Sequence, residues 1–115
     1  MVMVELYAPL AFHDMTDDER STCCNGCGAA GKGYLVPDSM YGLSVTEPCN
    51  IHDWQYAHGS TIADKEEADR VFLNNCLRLI NDSSKWLRWL RRRRALKYYW
   101  VVKNFGGSAF WAGKQ

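Results

Sequence analysis

Cys49, His52, Asp53 and Tyr56 fall within one short run, TEPCNIHDWQYAHG, at spacings i, i+3, i+4 and i+7. In a helix that spacing gathers all four on one side. A later run puts Asp69 in register with Phe72, Leu73, Cys76 and Ile80, while Asp64, Glu66 and Glu67 lie off that stripe. Packing the stripe therefore buries a carboxylate. Burial of this kind is costly unless the group is hydrogen-bonded, and the facing helix offers His52 and Tyr56 as donors. An imidazole held by a buried aspartate has its tautomer and orientation fixed, which leaves its other nitrogen to act as a general base toward water. Asp53 projects about 100° away around the helix and is left to bind something else.

Upstream lies CCNGCGAAGKG, residues 23–33, a stretch too rich in glycine for a helix or a regular strand. Such a loop displays backbone carbonyls and amides without side-chain hindrance. Carbonyl oxygens with one carboxylate are the ligands that a hard cation such as calcium takes. The same cysteines also permit zinc: Cys24-x2-Cys27 followed by Cys49-x2-His52 has spacing acceptable for a structural Cys3His site. Under that alternative the chain is a nucleic-acid-binding module.

The elements that must position these residues are mostly helical. The first helix starts near Thr46, a plausible N-cap, carries Pro48 in its first turn and stops before Gly59. The second starts at Ser60 or Thr61, where Thr61 and Asp64 form a capping-box-like pair, and runs to about Ile80. With only a short turn between them, the two are expected to pack antiparallel. A third, basic helical region begins near Ser83–Ser84 and continues through WLRWLRRRRALKYYWVVKNF to Gly106–Gly107. Residues 1–22 read as acidic and irregular, and short strand pieces at Leu35–Val36 or Leu43–Val45 make at most a small hairpin. The expected fold class is thus all-α in the main, in a single domain over residues 1–115, with the chemistry in 23–80 and a basic aromatic tail in 83–115.

With 115 residues, 47% hydrophobic and 23% charged, the composition is that of one ordinary globular domain rather than a collagenous or disordered chain. No run approaches the 18 or more apolar residues that span a bilayer, and the start has no basic leader, so a soluble chain without a secretory signal is expected. The net charge of +1 conceals a polarity: residues 1–84 carry 5 basic and 13 acidic residues, and 85–115 carry 9 basic and none acidic. That tail also holds 8 of the 15 aromatic residues, among them Trp86, Trp89, Trp100 and Trp111. Cations mixed with rings suit an anionic lipid surface or a nucleic acid.

Taken together, CGAAGKG, PCNIHDWQY and ADRVFLNNC resemble the phospholipase A2 superfamily, in which a glycine-rich calcium loop precedes a helix bearing His-Asp and an antiparallel helix bearing a second aspartate. The resemblance covers residues 23 to 80. It implies that His52 is the general base, Asp69 its orienting partner and Tyr56 a hydrogen-bond donor to Asp69. It further implies that Asp53 and the backbone carbonyls of Gly26, Gly28 and Ala30 hold Ca2+, and that the amide of Gly28 helps stabilise the oxyanion. The implied reaction is calcium-dependent hydrolysis of the sn-2 ester of a glycerophospholipid, at a membrane surface that is preferably anionic, with no nucleic acid involved.

By the same resemblance Cys27 pairs with Cys49, linking the calcium loop to the catalytic helix; of the other cysteines, Cys76 could pair with Cys23 or Cys24, leaving one thiol over. Departures from the family pattern are Ala30 in place of a loop glycine and Pro48 and Trp54 in place of two cysteines, and only 5 cysteines are present. These features look like a prokaryotic or phage-type branch. Because calcium is scarce in cytosol, an extracellular or particle-associated setting is expected. A catalytically inactive relative that binds only membranes or a partner is the remaining alternative.

Overall fold

The computed structural model describes residues 5–23, 39–111 and 114. Two short helices, α1 (Leu10–His13) and α2 (Asp17–Cys23), precede a hairpin of β1 (Ser39–Met40) and β2 (Leu43–Ser44). Three longer helices follow: α3 (Thr46–His58), α4 (Ile62–Asn81) and α5 (Arg88–Phe105), the last entered through a 3-10 turn at Lys85–Leu87. A final helix, α6, covers Gly107–Trp111. Among the described residues no helix is long and apolar enough to cross a membrane.

The α3–α4 hairpin forms where the sequence places it, and its turn is fixed by local hydrogen bonds. Asp64 N–H donates to Thr61 Oγ1 at 3.1 Å, and Thr61 N–H donates back to Asp64 Oδ2 at 3.1 Å. This is the reciprocal capping box that starts α4. Hydrogen bonds from the backbone amides of Ser60 and Thr61 hold the Asp64 carboxyl below its usual range. At the start of α3 the cap is Val45 rather than Thr46, which is already helical; β2 runs directly into the helix and leaves no separate capping residue.

Contacts between α3 and α4 run in opposite chain directions. Tyr56 and His52 meet Asp69, while Cys49 joins Phe72 and Cys76 further along. The same holds for α4 and α5, since Lys65 meets Val102 and Asn81 meets Arg88. The main core lies between these helices and under the hairpin: Met40, Val45, Cys49, Phe72, Cys76, Ile80, Ala95, Tyr98 and Val102. On its other side α3 packs Ile51 against Phe12 and Val71.

Residues 5–22 are more ordered than their composition suggests. Asn75, fully buried, uses its amide as a backbone mimic, accepting from Tyr7 N–H at 2.8 Å and donating to Tyr7 C=O at 2.9 Å. Arg78 adds a bond to Glu5 C=O at 3.2 Å. These two residues of α4 fasten an extended segment whose own sequence shows no period.

Two further expectations change. Cys76 is a free thiol buried in the core, not half of a disulfide, and burial pushes its pKa up to about 12. Cys49 is not a free thiol, but its expected partner Cys27 lies outside the described residues. Arg91, one of four consecutive arginines in the basic helical region, points inward. It is 7% exposed and donates from Nε to Met40 C=O at 3.1 Å and from Nη2 to Tyr41 C=O at 2.6 Å.

Arg91 therefore anchors the hairpin to α5. Replacing it with Gln should leave two carbonyls short of donors and destabilise the fold by roughly 2 to 4 kcal/mol. Arg93→Gln, at an exposed position, should change stability by no more than about 0.5 kcal/mol. Urea denaturation of both variants checks the contrast.

Candidate active site

Asp69 sits on the inner face of α4 and is 1% exposed. Its Oδ1 accepts from His52 Nε2 at 2.8 Å and from the Tyr56 hydroxyl at 2.7 Å. Both donors come from α3, one turn apart. The second oxygen, Oδ2, accepts from Lys65 Nζ at 2.8 Å, one turn back along α4. Burial raises the carboxyl's pKa, but the hydrogen bonds from His52, Lys65 and Tyr56 outweigh it and hold the group below the usual carboxylate range.

An ionised carboxylate can only accept. His52 must therefore carry its proton on Nε2, and Nδ1 becomes the nitrogen with the basic lone pair. The ring is wedged between neighbours, with its centroid 4.1 Å from that of Tyr56 and 5.2 Å from that of Phe72. Its orientation is thus set by packing as well as by the hydrogen bond.

Lys65 was not legible as a site residue, although a lysine four positions before an aspartate on one helix is a signal for an ion pair. It is 6% exposed, and all three of its ammonium protons are accounted for. One goes to Asp69, and the others reach Val102 C=O and Lys103 C=O, each at 3.2 Å, in the last turn of α5. Those carbonyls form the negative end of the helix dipole, a favourable place for a cation.

Gly106, read from sequence only as a helix stop, also belongs here. A Cβ at this position would lie 2.5 Å from the Tyr56 hydroxyl and would also meet Val102 C=O. The close approach lets α5 end directly against the tyrosine. Phe110 on α6 then packs edge-on to the Tyr56 ring at 5.2 Å, and Lys114 donates to Tyr56 C=O. The tail thus seals the back of the site.

Asp53 follows His52 on α3 and is buried, yet it takes no part in the Asp69 cluster, whose oxygens are bonded by His52, Tyr56 and Lys65. A carboxylate is the kind of donor that suits calcium, so Asp53 fits that role. Gly26, Gly28 and Ala30, the other expected contributors, lie outside the described residues, as do Cys24 and Cys27 of the zinc alternative. Among the described residues no three His, Cys, Asp or Glu side chains come together as a metal cluster. Compared with known protein families, with curated proteins and with solved structures, the chain matches none.

The cluster makes two variants informative. Lys65→Met leaves Asp69 Oδ2 and two carbonyls without their common donor inside the protein, and should cost about 3 to 5 kcal/mol in urea unfolding at neutral pH. Because Asp69 has a depressed pKa in the folded state, the unfolded chain takes up its proton first as pH falls. The stability it confers is fully present above about pH 4 and is lost as pH drops through the folded value. Asp69→Asn should therefore lower stability at pH 7 and flatten the decline below pH 4, read from urea midpoints as a function of pH.

Proposed function

We propose that the protein is a calcium-dependent phospholipase of the A2 type, hydrolysing the sn-2 ester of glycerophospholipids. The observation that carries this reading is the buried Asp69–His52 pair, whose bond at Nε2 leaves Nδ1 as the base. The resemblance of residues 23 to 80 to that superfamily adds the calcium loop. Asp53 with the backbone carbonyls of Gly26, Gly28 and Ala30 would hold the ion, and Cys27–Cys49 would tie the loop to α3.

In this scheme His52 Nδ1 removes a proton from water as the water oxygen bonds to the sn-2 carbonyl carbon. Asp69 stabilises the resulting imidazolium and keeps the ring aligned; Tyr56 and Lys65 keep Asp69 ionised and in place. When the tetrahedral species collapses, the carbon–oxygen ester bond breaks and His52 returns the proton to the departing glycerol oxygen. The products are a fatty acid and a lysophospholipid. The Gly28 amide would donate to the developing oxyanion. Calcium, if held by Asp53 and the loop carbonyls, would supply positive charge against the negative charge that develops in the reaction.

The outer face of α5 supports a lipid surface as the place of action. Trp89, Arg92, Arg93, Leu96, Lys97 and Trp100 recur at helical spacing on the side opposite the buried Arg91, Ala95, Tyr98 and Val102. Trp86 is 92% exposed and Trp111 42%. Aromatic rings settle at the headgroup level, and each nearby Lys or Arg adds about 1 kcal/mol of attraction to anionic lipid. Calcium at the levels this chemistry needs is found outside cells, so an extracellular or particle-associated setting belongs to the same proposal.

The reading is tested on phospholipid vesicles. Fatty acid release should require calcium and stop with a chelator, and His52→Gln, with unchanged circular dichroism, should lose at least about 10³-fold in rate. Hydrolysis that persists in the chelator, or a His52→Gln variant as fast as the parent, rejects it.

A further inference from the structure

The tip of the β1–β2 hairpin is built against the local preference of its sequence. Tyr41 and Gly42 form a two-residue turn with φ of +48° and +83°. Positive φ at both positions is what a type I′ turn needs, but the first is a tyrosine where Asn, Asp or Gly is usual. A non-glycine residue in this region costs about 1 kcal/mol or more, and it persists only where its surroundings determine it.

Those surroundings are arginines of α5. Arg91 holds the carbonyls of Met40 and Tyr41. Arg94 donates from Nη2 to the Tyr41 hydroxyl at 3.1 Å, and its guanidinium lies 5.3 Å from the centre of the ring. The outcome is a pocket of about 370 Å³ lined by Tyr41, Leu90, Arg93, Arg94 and Lys97.

Among the described residues no carboxylate lines this pocket. Among the described residues none of its three cations has an ion-pair partner, and residues 85–115 contain no acid. Arg93 and Lys97, four apart on α5, repel one another. An anion would relieve that repulsion. The Tyr41 hydroxyl accepts from Arg94, so its own proton is left to donate, and guanidinium groups match phosphate oxygens in a forked geometry. Arg93 also lies over the Trp89 ring at 5.1 Å, and Trp89 is 64% exposed. The pocket therefore opens beside a ring suited to the headgroup level of a bilayer.

We propose that Tyr41, Arg93, Arg94 and Lys97 form a binding site for the phosphate of an anionic lipid headgroup, separate from the His52–Asp69 cluster. It rests on the interfacial reading only for the source of the phosphate, and its test uses binding without turnover. A failed hydrolysis assay and a failed binding assay are therefore distinguishable.

The full chain is titrated with phosphatidylcholine vesicles with and without phosphatidate. Two double variants, Arg94→Gln/Lys97→Gln and Lys85→Gln/Arg92→Gln, remove equal charge, and each should lose roughly 30-fold in affinity for phosphatidate vesicles from general attraction alone. The first should lose about tenfold more, because it also removes the phosphate's specific donors. Tyr41→Phe, which changes no charge, should weaken the same binding severalfold. Equal losses in the two double variants would overturn the proposal. So would inorganic phosphate binding with this residue dependence while vesicles show none, or tighter binding to a duplex oligonucleotide through these residues.

Discussion

Asp69 places a negative charge where almost no water reaches, and three side chains from two helices compensate it. Taking a carboxylate out of water is costly unless its lone pairs are filled. Here His52 and Tyr56 fill one oxygen and Lys65 the other. The α3–α4 packing thus has a polar requirement at its centre as well as an apolar one. Any shift between the two helices that broke the His52 bond would also leave Asp69 Oδ1 short of a donor, since its donors come from α3. The conformation that orients His52 is in this way the same as the stable conformation.

The lysine extends that constraint to a third helix. Its remaining protons go to the end of α5, and Gly106 allows the chain to turn there against the Tyr56 hydroxyl. One face of α5 thus completes the surroundings of the aspartate. Its opposite face carries the exposed tryptophans and cations proposed to meet lipid. Because the helix is fixed at one end by Lys65 and at the other by Arg91, its outward stripe has a defined orientation relative to the histidine.

Much of this was legible because it depends on short-range spacing. Helical periodicity placed His52 and Tyr56 on one side of α3 and Asp69 in the apolar stripe of α4, and Thr61 with Asp64 marked where α4 begins. What escaped depends on partners distant in the chain. Arg91 sits in a run of four arginines, and only the hairpin carbonyls 50 residues away distinguish it from its exposed neighbours. Asn75 and Arg78 order a segment about 70 residues upstream that has no period of its own. Gly106 looked like a stop because its closeness to Tyr56 is a property of the packed fold. The expected calcium loop lies outside the described residues, so its part of the site stands on the resemblance.

The central claim is that Asp69 fixes His52 with its proton on Nε2 and its basic lone pair on Nδ1. Nitrogen NMR of the folded chain, with 15N-labelled histidine and the His13 and His58 signals assigned by substitution, reads this tautomer directly. The account predicts that at neutral pH His52 shows a protonated Nε2, hydrogen-bonded and slow to exchange, and an unprotonated Nδ1. A proton on Nδ1 instead, or signals averaged between the two tautomers as in a freely rotating ring, would contradict it.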